Sequence, residues 1–286
     1  MSLLVRLVLV LFVPLAHAQD ASIRVGGSTT ALPIISSCAA HFMEKFGSWD
    51  KADASLKGDQ TVVYVTGGGS GFGVKGLLNG TIDLGMVSRD LKPEEVKLLG
   101  GPVQHVFARD AVAIATNNAN PLAKTKRAGF STAELAAIFS GQAAQFSQID
   151  KSLPAKPVVL LARDASGGTT EIMQDRVLKQ QRFAASRLQF PSTAALIKKL
   201  ETSDAAIAYV SAGAVSQDSD LRTYTVDGVA PTQENIVNGS YSLNRPMLVV
   251  AKPNPPRKVQ LFMDYVLGDC QETVKEMGFV PVRAGK

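Results

Sequence analysis

Apolar positions recur along the chain with two different periods. Ile35, Cys38, Ala39, Phe42 and Phe46 are spaced at about 3.6 residues, which predicts an amphipathic helix over Leu32–Phe46. Pro33 suits the first turn of that helix and Gly47 its C-terminal stop. Further helices are predicted at 74–79, stopped by Gly80, and at Thr132–Phe139, 169–181, 194–202, Arg257–Leu267 and 271–277. Between them lie short apolar runs that predict strands at 22–25, 62–66, 82–87, 106–116, 158–162, 206–210 and 247–252. Strands alternating with helices argue for an α/β fold with mainly parallel pairing. Two long polar stretches, 48–60 and 141–156, read as loops. No internal repeat, low-complexity tract or Ser/Pro-rich linker divides the chain.

The N-terminus breaks this pattern. Residues 1–18 carry one positive charge, Arg6, then an unbroken apolar run and an Ala16-His17-Ala18 end, the layout of a secretory signal peptide. The competing reading is a membrane anchor, but spanning a bilayer takes about 20 apolar residues. Cleavage after Ala18 would start the mature chain at Gln19 and lower the formal charge from +5 to +4. An exported, periplasmic protein is therefore expected.

The 286 residues are 45% hydrophobic and 19% charged, with a mean hydropathy of +0.09, so the chain can bury a real core and is not a disordered segment. Basic residues are scattered among acids, with no basic stripe and no interleaved aromatics, which argues against nucleic-acid binding. Two cysteines and three histidines leave little material for metal chemistry, and neither a metal nor a cofactor is expected. Cys38 and Cys270 are either a disulfide or two buried thiols, and sequence alone leaves both readings open.

Three segments share one design: a strand, then a loop rich in Gly, Ser and Thr, then a helix. They run over 25–33, 65–75 and 162–171. A helix start leaves N–H groups unpaired and carries partial positive charge, glycines admit close approach, and hydroxyls donate without adding charge. Three such loops, one bearing Arg163, point to a shared anion, although Ser and Thr also cap ordinary helices. A fourth segment, 83–90, ends a strand with Ser88 and Arg89. Arginine's planar fork suits tetrahedral oxyanions, and Arg89 otherwise reads as a solvated loop residue or a partner for Asp90. The G-x-G-x-x-G spacing at 71–76 is weak as a dinucleotide signal, and Lys75 is followed by Gly76 rather than by the Ser or Thr of a P-loop.

Together, Gly-Ser-Thr-Thr at 27–30, Gly-Ser-Gly-Phe-Gly at 69–73, Ser-Arg at 88–89 and Arg-Asp-Ala-Ser-Gly-Gly-Thr at 163–169 resemble the substrate-binding proteins of bacterial ABC phosphate importers. The stretches 206–213 and 241–247 resemble family segments as well. The resemblance implies a two-lobed periplasmic-binding-protein fold of type II, with the lobes joined by two crossover strands near 106–115 and 245–251. It implies a first lobe of 19–110 plus 246–286 and a second of 111–245. It also implies a monomeric receptor that holds phosphate or a similar oxyanion between the lobes and delivers it to a membrane ABC permease. Carried over by motif, the ligand-binding residues are Ser28, Thr29, Thr30, Ala31, Leu32, Ser70, Gly71, Ser88, Arg163, Gly167, Gly168 and Thr169, with Arg89 as a helper and Ser166 displaced one place from the family's hydroxyl. Some family members carry a carboxylate where this chain has Ser88, which weakens the expected rejection of sulfate unless Asp90 or Asp164 takes that part.

Two other function classes compete with a receptor. One is an exported phosphate-ester hydrolase, but there is no G-x-S-x-G, and His41 and His105 stand alone. The other is a signalling or interaction protein that keeps the fold without a ligand.

Overall fold

The computed structural model describes residues 22–215 and 220–282; the expected signal peptide, 1–18, lies outside the described residues. The chain opens with β1 (Ser22–Gly27), α1 (Leu32–Phe46), α2 (Trp49–Ala52), β2 (Val62–Gly67), α3 (Ser70–Asn79), β3 (Leu84–Val87) and α4 (Pro93–Leu98). A long strand, β4 (Val103–Asn117), leads into β5 (Gly129–Phe130), α5 (Thr132–Phe139), α6 (Phe146–Ile149), β6 (Val159–Arg163) and α7 (Gly168–Met173). Then come β7 (Leu188–Phe190), α8 (Thr193–Glu201), β8 (Ala206–Ser211), β9 (Leu221–Val226) and α9 (Gln233–Val237). The chain finishes with β10 (Asn244–Ala251), α10 (Arg257–Leu267), α11 (Gln271–Glu276) and β11 (Val280–Pro281).

The strand order is β2-β1-β3-β10-β4-β8-β6-β7, with β4 in the middle. The first part of β4 pairs with β10, from Val103 to Ala111, and its last part pairs with β8 and β9, from Val112 to Asn117. One continuous strand thus belongs to both lobes. Each lobe closes its own core. Val25, Ile35, Phe42, Trp49, Phe107, Met247 and Phe262 fill the first. Ile114, Phe139, Tyr209, Tyr224 and Tyr241 fill the second. The pairing is parallel within β2-β1-β3 and within β7-β6-β8, as expected, but antiparallel wherever β4 or β10 takes part. Strands that carry the chain from one lobe into the other run against their neighbours, so the sheet is mixed rather than mainly parallel.

Helix α1 spans the expected residues. Its Ile34, Ile35, Cys38, Ala39 and Phe42 are buried, and Gly47, at φ 66°, ends it with an N–H donated to the Met43 carbonyl. Cys38 and Cys270 form a disulfide with Cα atoms 5.6 Å apart, which decides between the two readings of the cysteines and ties α1 to the start of α11. The helix expected over 169–181 is shorter: it is α-helical to Met173, passes into a π-helical turn at Gln174–Leu178, and stops at Lys179 with φ 54°. Among the described residues, no helix is long and apolar enough to cross a membrane.

Candidate functional site

The C-terminal ends of β1 and β3 and the N-termini of α1 and α3 meet at one point. Gly27 has φ +139°, and a Cβ there would sit 2.1 Å from the Met86 carbonyl oxygen, so β1 can turn so tightly against β3 only with glycine at this position. The turn delivers Ser28, whose Oγ accepts the N–H groups of Thr30 and Ala31 at 3.2 Å each. It also places Ser28 Oγ against Ser88 Oγ in a short hydroxyl–hydroxyl contact. Ser70 Oγ accepts the Ser88 N–H at 3.0 Å. All three serines are buried.

The second lobe faces this cluster with Arg163, at the end of β6. Its Nη1 donates to Thr29 Oγ1 at 2.6 Å, across the boundary between lobes. Nε and Nη2 donate to the carbonyls of Phe190 and Pro191 at 2.9 Å each, and Nη2 lies 3.3 Å from Asp164. Burial holds the Arg163 guanidinium below its ordinary pKa; Asp164 opposes this and the charge of Arg245 adds to it. Gly168 sits flush on the serines, because a Cβ there would lie 2.6 Å from Ser70 Oγ and 3.0 Å from the Ser88 carbonyl. Beside it Thr169 Oγ1 is buried without a hydrogen-bond partner. Gly71 N–H reaches the Ser166 carbonyl at 3.3 Å.

Ser28, Thr29, Thr30, Ala31, Ser70, Ser88, Arg163, Gly168 and Thr169 are thereby brought together. Other expected residues are used differently. The Leu32 N–H is bonded to the Ser28 carbonyl at 3.0 Å and its side chain packs into the first core. Ser166 Oγ donates to Asp164 at 2.6 Å, and Gly167 packs on Arg163. Arg89, expected as a helper, is held by two carboxylates. Its two Nη atoms donate to the Glu95 carboxylate at 2.7 and 2.8 Å, and its Nε lies 2.8 Å from Glu171 on α7, so carboxylates already hold it. Lys92 also reaches Glu171 at 2.8 Å. Burial pushes the Glu95 carboxyl up, but Arg89 and the Lys92 N–H outweigh it and leave Glu95 below its ordinary value.

Two parts of the cluster escaped the sequence reading. Thr193, at the start of α8, lies 3.0 Å from Thr30 Oγ1, and its N–H points at Thr29 Oγ1 at 3.3 Å. The 190–193 loop repeats the strand, hydroxyl loop and helix design, which is the signal that would have found it. The second is Arg245, paired with Asp110, both with fully buried side chains. Among the described residues, no group of three His, Cys, Asp or Glu side chains is placed to hold a metal.

The sequence profile of the PBP superfamily domain matches residues 15–269. The chain belongs to the PBP superfamily. Among PBP-type relatives, the phosphate-binding protein PstS of Staphylococcus epidermidis is 28% identical over 267 residues, spanning 89% of this chain and 77% of that protein. The PstS of Borreliella burgdorferi is 25% identical over 272 residues, spanning 91% and 90%. A solved structure described as a phosphate ABC transporter substrate-binding protein with bound phosphate, from Clostridium perfringens, matches with a TM-score of 0.78 at 26% identity, covering 91% of this chain and 99% of that one. An ABC-type phosphate transport receptor from Vibrio cholerae shares the fold, with a TM-score of 0.71 at 22% identity over 91% of this chain and 100% of that chain.

Proposed function

We propose that the protein is an exported receptor that captures inorganic phosphate, or a closely similar tetrahedral oxyanion, between its lobes and hands it to a membrane ABC permease. The observation that carries this reading is the setting of Arg163. A buried guanidinium faces a cluster of hydroxyls from both lobes, with Thr169 Oγ1 left without a partner beside them. Such a site converges guanidinium and hydroxyl donors, which an anion would complete. The phosphate-binding relatives support phosphate as that anion.

The lobes would be 19–110 plus 246–286 and 111–245, with residues 1–18 removed on export and the receptor acting as a monomer. The ligand set is Ser28, Thr29, Thr30, Ala31, Ser70, Gly71, Ser88, Arg163, Gly168 and Thr169, with Thr193 added. A receptor fits better than a hydrolase, because His41 and His105 are exposed on α1 and β4, away from the cluster.

Selectivity should be modest. Asp90 is exposed, and Asp164 spends an oxygen on Ser166 and Arg163. Neutral hydroxyls, which donate or accept by rotation, would therefore meet the anion in place of a carboxylate. Calorimetric titration of ligand-stripped protein with phosphate, sulfate, molybdate and methylphosphonate tests the proposal. Phosphate should bind in a one-to-one ratio and sulfate should compete. No heat with any of the four, or turnover of a phosphate monoester, would overturn it.

A further inference from the structure

Arg245 and Asp110 face each other across the β10–β4 ladder, where both strands pass between lobes. Arg245 Nε and Nη2 donate to Asp110 Oδ2 at 3.1 and 2.7 Å. Asp110 also accepts from Ser211 Oγ at 2.8 Å and from the Gly213 N–H at 3.1 Å, which joins the pair to the end of β8. The remaining reach of the guanidinium goes to the serine and threonine cluster: Nη1 lies 3.3 Å from the Ser88 carbonyl, and Nη2 lies 3.4 Å from Thr30 Oγ1.

A fully buried ion pair is expensive to desolvate, and apolar replacements are often as stable or more so. Stability alone is a weak reason to keep one here. We propose that Arg245 is a positioning residue for the anion site. Its bond to the Ser88 carbonyl holds the Ser88 main chain, and so the base of its side chain, in place beside the cluster. By donating to Thr30 Oγ1 it forces the Thr30 hydrogen to point away, toward Thr193 or an acceptor in the cleft. A hydroxyl polarised in this way is a donor, which favours an anion. Lysine cannot replace it, because one ammonium cannot span Asp110, Ser88 and Thr30 in a planar fork.

This inference rests on the anion site proposed above, so the experiment separates the two. Phosphate affinity and the ligand-free melting temperature are measured for Arg163→Ala, Arg245→Lys, and Arg245→Met combined with Asp110→Asn. The Arg245 variants should melt near the wild type yet bind phosphate about tenfold more weakly, the loss expected for hydrogen bonds from a charged donor. A purely structural pair predicts the reverse, with altered melting and unchanged affinity in the lysine variant, and that result overturns the inference. If the variants do not fold, the Arg245 Nε–H resonance of the wild type decides: it should shift when phosphate is added, and an unmoved resonance refutes the role. Full binding by Arg163→Ala would instead discard the site itself.

Discussion

Replacing Arg163 with alanine removes a guanidinium that reaches into the cluster from the end of β6. Arginine has five N–H groups, and those of Arg163 meet four acceptors: Phe190 O, Pro191 O, Asp164 and Thr29 Oγ1. The donor left over is on Nη1, the nitrogen facing Thr29, where a phosphate oxygen would sit. A hydrogen bond between charged groups contributes about 1.5–3 kcal/mol, which is roughly ten- to a hundredfold in Kd at about 1.4 kcal/mol per decade. The free protein should lose little. Phe190 is half-buried and Pro191 exposed, so water can replace the guanidinium at their carbonyls, and removing a buried cation recovers its desolvation cost. Affinity and ligand-free stability should therefore separate. Calorimetry on ligand-stripped protein gives the first and thermal unfolding without phosphate the second. A phosphate Kd within about threefold of wild type would refute the argument, and so would a loss of affinity matched by a comparable loss of ligand-free stability.

Other perturbations follow from the same contacts. Gly168→Ala would place a Cβ 2.6 Å from Ser70 Oγ, so the lobes should fail to close fully; small-angle scattering should find the same radius of gyration with and without phosphate, and a normal contraction would contradict this. Glu171→Gln removes the charge that draws α7 to Arg89 and Lys92, so phosphate should bind more weakly; an unchanged affinity would argue that these pairs do not assist closure. Glu95 is held below its ordinary value, so its pairing with Arg89 stabilises the fold fully above the ordinary carboxylate range, and that stabilisation should fade as the pH falls through the depressed value; Glu95→Gln should flatten the acid limb of a stability–pH curve. Reducing the Cys38–Cys270 bond, which closes a separation of 232 residues, should cost about 2–4 kcal/mol of stability while leaving phosphate affinity alone; a large change in Kd would link the bond to the site.

The elements that sequence predicted well are those with strong local patterns. Helix α1 carries its apolar stripe, its proline and its glycine within sixteen residues, 32–47, and needs no partner to be recognised. The hydroxyl loops after β1 and β6 were legible for the same reason. Strands β7 and β9 were not, since Leu188–Phe190 and Leu221–Val226 are short or flanked by charge and become strands only by pairing with β6 and β4. Arg245 escaped because its partner, Asp110, lies 135 residues away. Arg89 is held both by Glu95, six residues on, and by Glu171, far along the chain. No local pattern announces the pairings with Asp110 and Glu171.

The route of the chain through β4 and β10 bears on how the protein comes into being. Helix α1 is covered by α10 and α11 and cross-linked to Cys270, and β3 takes β10 as its neighbour. None of that cover exists when α1 leaves the ribosome. The second lobe, by contrast, draws its strands β5 to β9 and most of its core from the uninterrupted middle of the chain. As the chain emerges, the usual order, in which the N-terminal part folds first, should thus be inverted. The middle can settle while the beginning waits for the end, and the disulfide is the bond that records the end's arrival.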